Sequence, residues 1–477
     1  MNREAANAAL WREWAMKLLP FADSASDDLP LPRLLRLALF QVSVGMAAVL
    51  LTGTLNRVMI VEMGIPSALV AVMVALPLAF APLRALIGHK SDAHRSHFGW
   101  RRGPYIWFGS MLQFGGLAIM PFALLILSGD THGPQWIGVA AAAVAFLLTG
   151  IGMHTTQTAG LALATDLAPE DSRPRVVALL YVMLLAGMLI SALLFGALLT
   201  DFSAVRLIQV IQGAAVVTMA LNIAALWKQE PWRRAYGQTE AAKPSFGAQW
   251  RALVSGDGAS RLLTATGFGA AAFSMQDVLL EPYGAEVMGL SVAQTTALTA
   301  LWATGMLIGF AAAAQNLAQG GPSQRLAGFG ALIGVAAFSL VILAAPMNSP
   351  GLFCIGVAII GVGGGMFSVG TLTAAMALSR DGGSGIALGA WGAVQATATG
   401  AAIAVGGLLR DGVGALSAHG ALGPALSGPA TSYMVVYHIE IGLLFLALVA
   451  IGPLARHGVR PHANQPPVKF GLAEFPT

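Results

Sequence analysis

Long apolar runs alternate with short polar intervals along nearly the whole chain, and the run lengths set the architecture. A helix crossing ~30 Å of hydrocarbon needs about 20 mostly apolar residues. Such runs fall at 34–61, 66–86, 104–128, 136–164, 175–199, 205–227, 262–283, 292–317, 325–346, 350–378, 385–410 and 432–455. Between the sixth and the seventh lies the longest polar interval, from Lys228 to Arg261, which carries Arg233, Arg234, Lys243 and Arg251 and the helix breakers Pro231 and Pro244. The pattern predicts an all-α integral membrane protein, twelve transmembrane helices in two six-helix bundles. Its parts are an interfacial amino-terminal segment (1–33), a first bundle (34–227), a hinge loop (228–261), a second bundle (262–455) and a polar tail (456–477).

The basic residues orient these spans. If the amino terminus is cytoplasmic, all of the 26 Lys and Arg except Arg57, Arg206 and Arg410 fall on the cytoplasmic side. The positive-inside rule therefore places both termini and the hinge in the cytoplasm. The halves also read as repeats. A shift of 220 residues lays Leu55-Asn56-Arg57-Val58 on Met275-Gln276-Asp277-Val278, and a shift of 211 lays Gly150-Ile151-Gly152 on Gly361-Val362-Gly363.

Composition agrees and narrows the chemistry. Charged residues are 10% and hydrophobic ones 56%, against about one quarter charged in soluble domains. Gly reaches 57 of 477 residues, as expected where small residues let helices approach in lipid. Gly361 and Gly365 form such a G-x-x-x-G pair; with no preceding strand, they do not form a dinucleotide loop. The net charge of +4 is a loop bias and implies no nucleic-acid partner. His89, His94 and His97 stand among Lys90, Arg95 and Arg101, which would repel a metal ion.

Polar side chains at membrane depth are the sharper clues. They are Asn56, Arg57 and Glu62 in the first span, Gln113 in the third, His154 and Gln157 in the fourth, Asp277 and Glu281 in the seventh, and Gln395 in the eleventh. The 220-residue shift places Arg57 opposite Asp277 across the pseudo-twofold axis. An ion pair between the bundles is expected there, with Glu62 or Glu281 sharing the guanidinium. A second cluster follows the second span: Gly88, Asp92, Arg95, Arg101 and Arg102. It resembles the G-x-x-x-D-x-x-x-R signature of the major facilitator superfamily, which implies a latch on the cytoplasmic face. Its second-half counterpart, Gln319 to Arg325, has no acidic residue.

Five longer stretches resemble the PucC/LhaA family of light-harvesting complex assembly factors, a branch of that superfamily. They are Leu55 to Glu62, Pro82 to Asp92, Arg101 to Trp107, Thr165 to Leu179 and Met275 to Gly284. The resemblance is nearer the LhaA type, which serves the core antenna LH1. It implies a photosynthetic membrane of a purple bacterium, non-covalently bound bacteriochlorophyll with carotenoid as a second pigment, and antenna polypeptides and the core complex as partners. Bacteriochlorophyll synthase and the membrane-insertion machinery are further partners it suggests. Within that reading, His154 can ligate a chlorin magnesium or hydrogen-bond a neighbouring helix, with Gln157 as another ligand. Two functions stand: a non-catalytic assembly factor, and a transporter of a small solute by alternating access. A pigment prenyltransferase is disfavoured, because no D-D-x-x-D cluster for magnesium diphosphate is present.

The orientation is checked with reporter fusions: one after Arg456 and one in the hinge should read as cytoplasmic, one at Gly420 as periplasmic. A periplasmic hinge would sink the twelve-span arrangement.

Overall fold

The computed structural model describes residues 29–79, 100, 102–129, 134–169, 173–229, 258–377 and 384–456. All regular structure among them is helical: α1 (31–62), α2 (Ser67–Ala79), α3 (Gly103–Leu127), α4 (Gln135–Leu167), α5 (Arg173–Leu198), α6 (Ala204–Leu226), α7a (Ala259–Ser274), α7b (Leu280–Glu286), α8 (Val292–Ala318), α9 (Ser323–Ala344), α10 (Pro350–Ala377), α11 (Ser384–Ala418) and α12 (Ala430–Arg456). Ten of these are long and apolar enough to cross a membrane. The other two expected spans differ. The described part of α2 is a 13-residue helix, and α7 is two shorter helices joined by a turn at 275–279.

Local chemistry fixes the ends. Pro30 precedes α1 and Pro32 occupies its first turn, where a missing N–H costs nothing. Ser291 and Gln294 form a reciprocal capping box at the start of α8, and the Ser203 hydroxyl accepts from Arg206 N at the start of α6. Within α1 the ladder widens to two π-helical turns, Leu50–Thr54 and Val58–Glu62. Such turns concentrate at functional sites. They lie 220 residues before the break in α7, so equivalent helices of the two halves are irregular at equivalent depth.

Lipid supplies no hydrophobic drive between helices, so close backbone contact must hold the bundle. Glycines provide it. Gly363 of α10 lies against Gly330 and Gly334 of α9, and Gly361 and Gly365 lie against α8 at Trp302, Met306 and Phe310. In the first half, Gly109 and Gly116 of α3 meet Thr156 and Thr149 of α4. Large apolar side chains point outward instead, among them Trp107, Phe108 and Phe122 on α3, Phe329 on α9 and Phe445 and Val449 on α12.

The halves meet along three seams: α2 with α11, α5 with α8, and α1 with α7b and α8. Gly407 of α11 nests on the Ser67 carbonyl, and Gly196 of α5 faces the Ala293 carbonyl. The core of the first half crosses the seam to include Val278, Ala300, Ala303 and Ile403, while a second core fills the second half. α1 is the central element: 72% of its most apolar stretch is buried, against 22–50% for the other long helices.

A contrast between two glycines tests this packing. Gly363→Leu should destabilise the purified protein by about 1–3 kcal/mol through overpacking. Gly442→Leu, exposed on α12 with open space around it, should leave Tm unchanged or slightly higher. Thermal melts in detergent read both.

Candidate functional site

The break in α7 gathers the buried polar groups. Opening a helix frees backbone groups, and inside a membrane these must be satisfied by protein. Here Asp277 N donates to the Ser274 carbonyl at 3.1 Å, Leu279 N and Leu280 N both donate to the Gln276 carbonyl (2.8 and 2.9 Å), and Asn56 Nδ2 of α1 donates to the Asp277 carbonyl at 3.4 Å. Beside this turn Glu281, fully buried, accepts a 2.7 Å hydrogen bond from Thr299 of α8. Gly53 of α1 sits directly against its carboxylate, where a Cβ would come within 2.5 Å of Oε1. Any larger residue at 53 would have to displace the carboxylate from this position against Thr299.

Arg57 is buried on α1 and pairs with Glu62, five residues along the same helix and partly exposed. Glu281 lies within electrostatic reach of that guanidinium. Three of the four residues expected to join the bundles are therefore together. The fourth is not: no Arg57–Asp277 ion pair forms among the described residues. The expectation treated both helices as regular, but the turn at 275–279 carries the Asp277 carboxylate away from α1 and into a cavity of the second half.

That cavity, about 270 Å³, is lined by α7, α8, α10 and α11. Asp277, Gln395 and Thr399 line it, together with Phe273, Trp302 and Phe367. Behind Asp277, Glu440 of α12 is wholly buried and within electrostatic reach of it.

A second network ties the halves near the ends of α2, α7b and α11, on the face opposite the start of α1. Arg410 Nη2 donates to Glu286 Oε2 at 2.6 Å and to the Tyr433 hydroxyl at 3.2 Å, and Nη1 donates to Asp411 Oδ1 at 3.0 Å. Tyr433 also donates to Glu286, at 2.8 Å. The other Asp411 oxygen accepts from Ala68 N at 2.6 Å, placing a carboxylate on the amino end of α2 across the seam. These residues were not singled out in the sequence. The available signal was the adjacent Arg410-Asp411 pair followed by a further apolar turn, Gly412 to Leu416.

The remaining candidates lie apart. Gln157 of α4 is buried and donates to Gln41 Oε1 of α1 at 3.3 Å, one contact holding those helices. His154, one turn earlier, is half-buried. Of the latch residues, Gly88, Asp92, Arg95 and Arg101 lie outside the described residues. Arg102 is buried at the start of α3 and donates through Nε to Asp166 Oδ2 at 3.0 Å, closing α3 onto the end of α4. No group of three or more His, Cys, Asp or Glu among the described residues could hold a metal ion.

This architecture is that of a major facilitator superfamily-like membrane protein. It is similar to a bacterial homolog of the human lysosomal transporter Spinster in its inward-facing, unoccupied conformation, with a TM-score of 0.65 at 15% identity, covering 89% of this chain and 96% of that one. A bacterial homologue of the iron transporter ferroportin in its inward-facing state gives a TM-score of 0.64 at 16% identity, covering 88% and 98%. At such identities the likeness is one of fold. The PUCC protein family matches residues 54–459, and the chain belongs to that family. Protein PucC of Rhodovulum sulfidophilum is 55% identical over 403 residues, 83% of this chain and 89% of that one. A Rhodobacter capsulatus protein described as an uncharacterized protein in the puhA-bchM intergenic region is also 55% identical, covering 97% of this chain and 98% of its own length. The bacteriochlorophyll synthase 44.5 kDa chain of Rhodobacter capsulatus is a more distant relative, 28% identical over 453 residues, 92% of this chain and 98% of that one.

Two double-mutant cycles separate the ion pairs. Arg57 with Glu62 should show a coupling of roughly 0.5–3 kcal/mol, whereas Arg57 with Asp277 should be close to additive. Arg410→Met should lower stability by roughly 2–3 kcal/mol, below the 3–5 of a fully buried pair because about a fifth of each side chain is exposed. Coupling between Arg57 and Asp277 larger than that with Glu62 would contradict the geometry.

Proposed function

We propose that this protein is a photosynthetic antenna assembly factor of the bacterial inner membrane. In this reading it binds bacteriochlorophyll and helps deliver it to, or assemble it with, light-harvesting polypeptides, those of the core LH1 antenna. It acts by holding and presenting pigment and makes or breaks no covalent bond. The observation that carries this is membership of the PUCC family across residues 54–459, joined to the resemblance of Leu55 to Glu62 and Thr165 to Leu179 to the PucC/LhaA assembly factors.

The shape of the protein adds a constraint. The second-half cavity of about 270 Å³ falls below the roughly 300–1,000 Å³ of sites that bury drug-sized ligands, and a phytylated macrocycle is larger still. Pigment therefore belongs at a groove or on the lipid-facing surface, where Trp107, Phe108 and Phe122 are exposed. Such a site is also open to a small antenna helix arriving laterally. His154, half-buried on α4, is the proposed magnesium ligand.

Alternating access for a small solute keeps one observation in its favour. Glu440 stands ten residues into α12, about 15 Å along the axis at 1.5 Å per residue, close to the middle of a ~30 Å hydrocarbon layer. Carboxylates at that depth often mark ion pathways.

Absorption spectra of protein purified from pigment-producing cells test the first reading. Bacteriochlorophyll should co-purify, His154→Leu should lower its stoichiometry while leaving the melt unchanged, and deletion of the gene should reduce assembled core antenna in the membrane. Colourless protein together with normal antenna in the deletion strain would reject the assembly role, and unchanged pigment in His154→Leu would remove that ligand.

A further inference from the structure

The cavity of the second half has a chemical character that the pigment reading does not use. Its lining is acceptor-rich. Asp277 lies at one end, and the hydroxyls of Ser274, Thr399 and Ser368 and the amide of Gln395 surround the space. The carboxylate of Asp277 has one side-chain partner, Gln276 Nε2 at 3.3 Å, and makes no ion pair among the described residues. α7a ends at Ser274 in the cavity wall, so the negative end of that helix dipole adds to the carboxylate. Glu440, buried behind the turn, contributes a second acidic group.

Against these acceptors stand three aromatic rings, Phe273, Trp302 and Phe367, with the thioether of Met306. Phe273 and Phe367 both line the space and pack against each other, tilted, at a centroid distance of 5.7 Å. A carboxylate beside aromatic faces is the arrangement that recognises organic ammonium groups, because ring quadrupoles attract a cation that water no longer solvates. The volume decides against a bare inorganic ion. About 270 Å³ is many times the ~30 Å³ share of a single water, and the aromatic wall gives the alkyl groups of an organic cation the apolar contact that a bare ion cannot use.

We infer that the second half carries a binding site for a small alkylammonium cation, with Asp277 as counter-ion and Trp302, Phe273 and Phe367 as the aromatic wall. The inference is independent of the pigment reading, since no lining residue is one assigned to pigment. The ammonium group reaches the site on a free amine or on a lipid headgroup.

Gly364 makes the site testable without touching its polar groups. It lines the cavity on α10, and a Cβ there would meet Phe273 Cδ1 at 3.5 Å and Met306 Sδ at 3.7 Å, ordinary contact distances. Gly364→Leu should therefore fold, with a Tm at or above wild type, while filling the space. Calorimetric titration of the full-length protein in phosphatidylglycerol nanodiscs should show saturable binding of choline. The neutral isostere with carbon in place of the ammonium nitrogen should not bind, and neither should sodium. Asp277→Asn should weaken choline binding by roughly tenfold or more, equivalent to about 1.4 kcal/mol, and Gly364→Leu should abolish it. Repeating the titration in phosphatidylcholine nanodiscs distinguishes the sources: competition identifies a lipid headgroup, and unchanged binding a free amine. Equal binding of the neutral isostere, full binding by folded Gly364→Leu, or no choline binding by wild type would each overturn the site.

Discussion

A backbone opened inside a membrane must be satisfied by protein, and the rest of this structure follows from how that is done at residues 275–279. The turn keeps its N–H groups on the Ser274 and Gln276 carbonyls, and Asn56 of the other half supplies a donor to the Asp277 carbonyl. That donor is available because α1 carries π turns on either side of Leu55–Arg57, which alter the facing of Asn56 and Arg57 relative to a regular helix. The two irregularities are thus complementary. Each half relieves a defect of the other, and the seam is specified by hydrogen bonding as well as by small residues.

The same constraint explains what the sequence revealed and what it concealed. Apolar runs of membrane length report directly on helices, so α3–α6, α8–α10 and α12 fall within a few residues of the runs that predict them. α11 runs on to Ala418 instead of ending near Arg410, because Arg410 finds Glu286 and Tyr433 and Asp411 finds Ala68 without leaving the helix. A charged pair in an apolar run reads as a loop until its partners are known. The break in α7 is marked only just beyond it: Phe273 to Leu279 contains neither Gly nor Pro, but Pro282, in the first turn of α7b, has no N–H for the Val278 carbonyl and cannot continue α7a as an unbroken helix. The Arg57–Asp277 expectation failed for that reason alone, whereas Glu62 and Glu281 gather around Arg57 because their placement depends less on the turn.

Pseudosymmetry extends to position but not to chemistry. The repeat places irregular backbone in both α1 and α7, yet the first half puts a cation there and the second half two acids. The second half also holds the cavity beside Asp277 and the buried Glu440. In the first half, Gly109, Gly116 and Gly152 bring α3 and α4 into close contact, and Gln157 is spent on Gln41. Among the described residues, a duplicated scaffold thereby carries Glu281 and Glu440 buried in the second half, with Asp277 lining the cavity, and Arg57 buried in the first.

That asymmetry bears on whether the molecule moves as transporters of this fold do. A rocking cycle must part the halves on each face in turn. On the face opposite the start of α1, parting them breaks the Asp411 cap on α2, and the Arg410 network shares that carboxylate. Each lost buried contact to a charged group costs roughly 1.5–3 kcal/mol unless a new partner takes its place. A symmetric latch would supply such partners on the other face, but the segment Gln319 to Arg325 has no acid to offer. On the face opposite the start of α1 one charged contact crosses the seam, the Asp411 carboxylate on Ala68 N, and the cluster of Arg410, Glu286 and Tyr433 holds that carboxylate in place from within the second half. Opening this face therefore means drawing α2 off a carboxylate that the second half keeps fixed, so the contact between Asp411 and Ala68 is where the two halves are most directly coupled there.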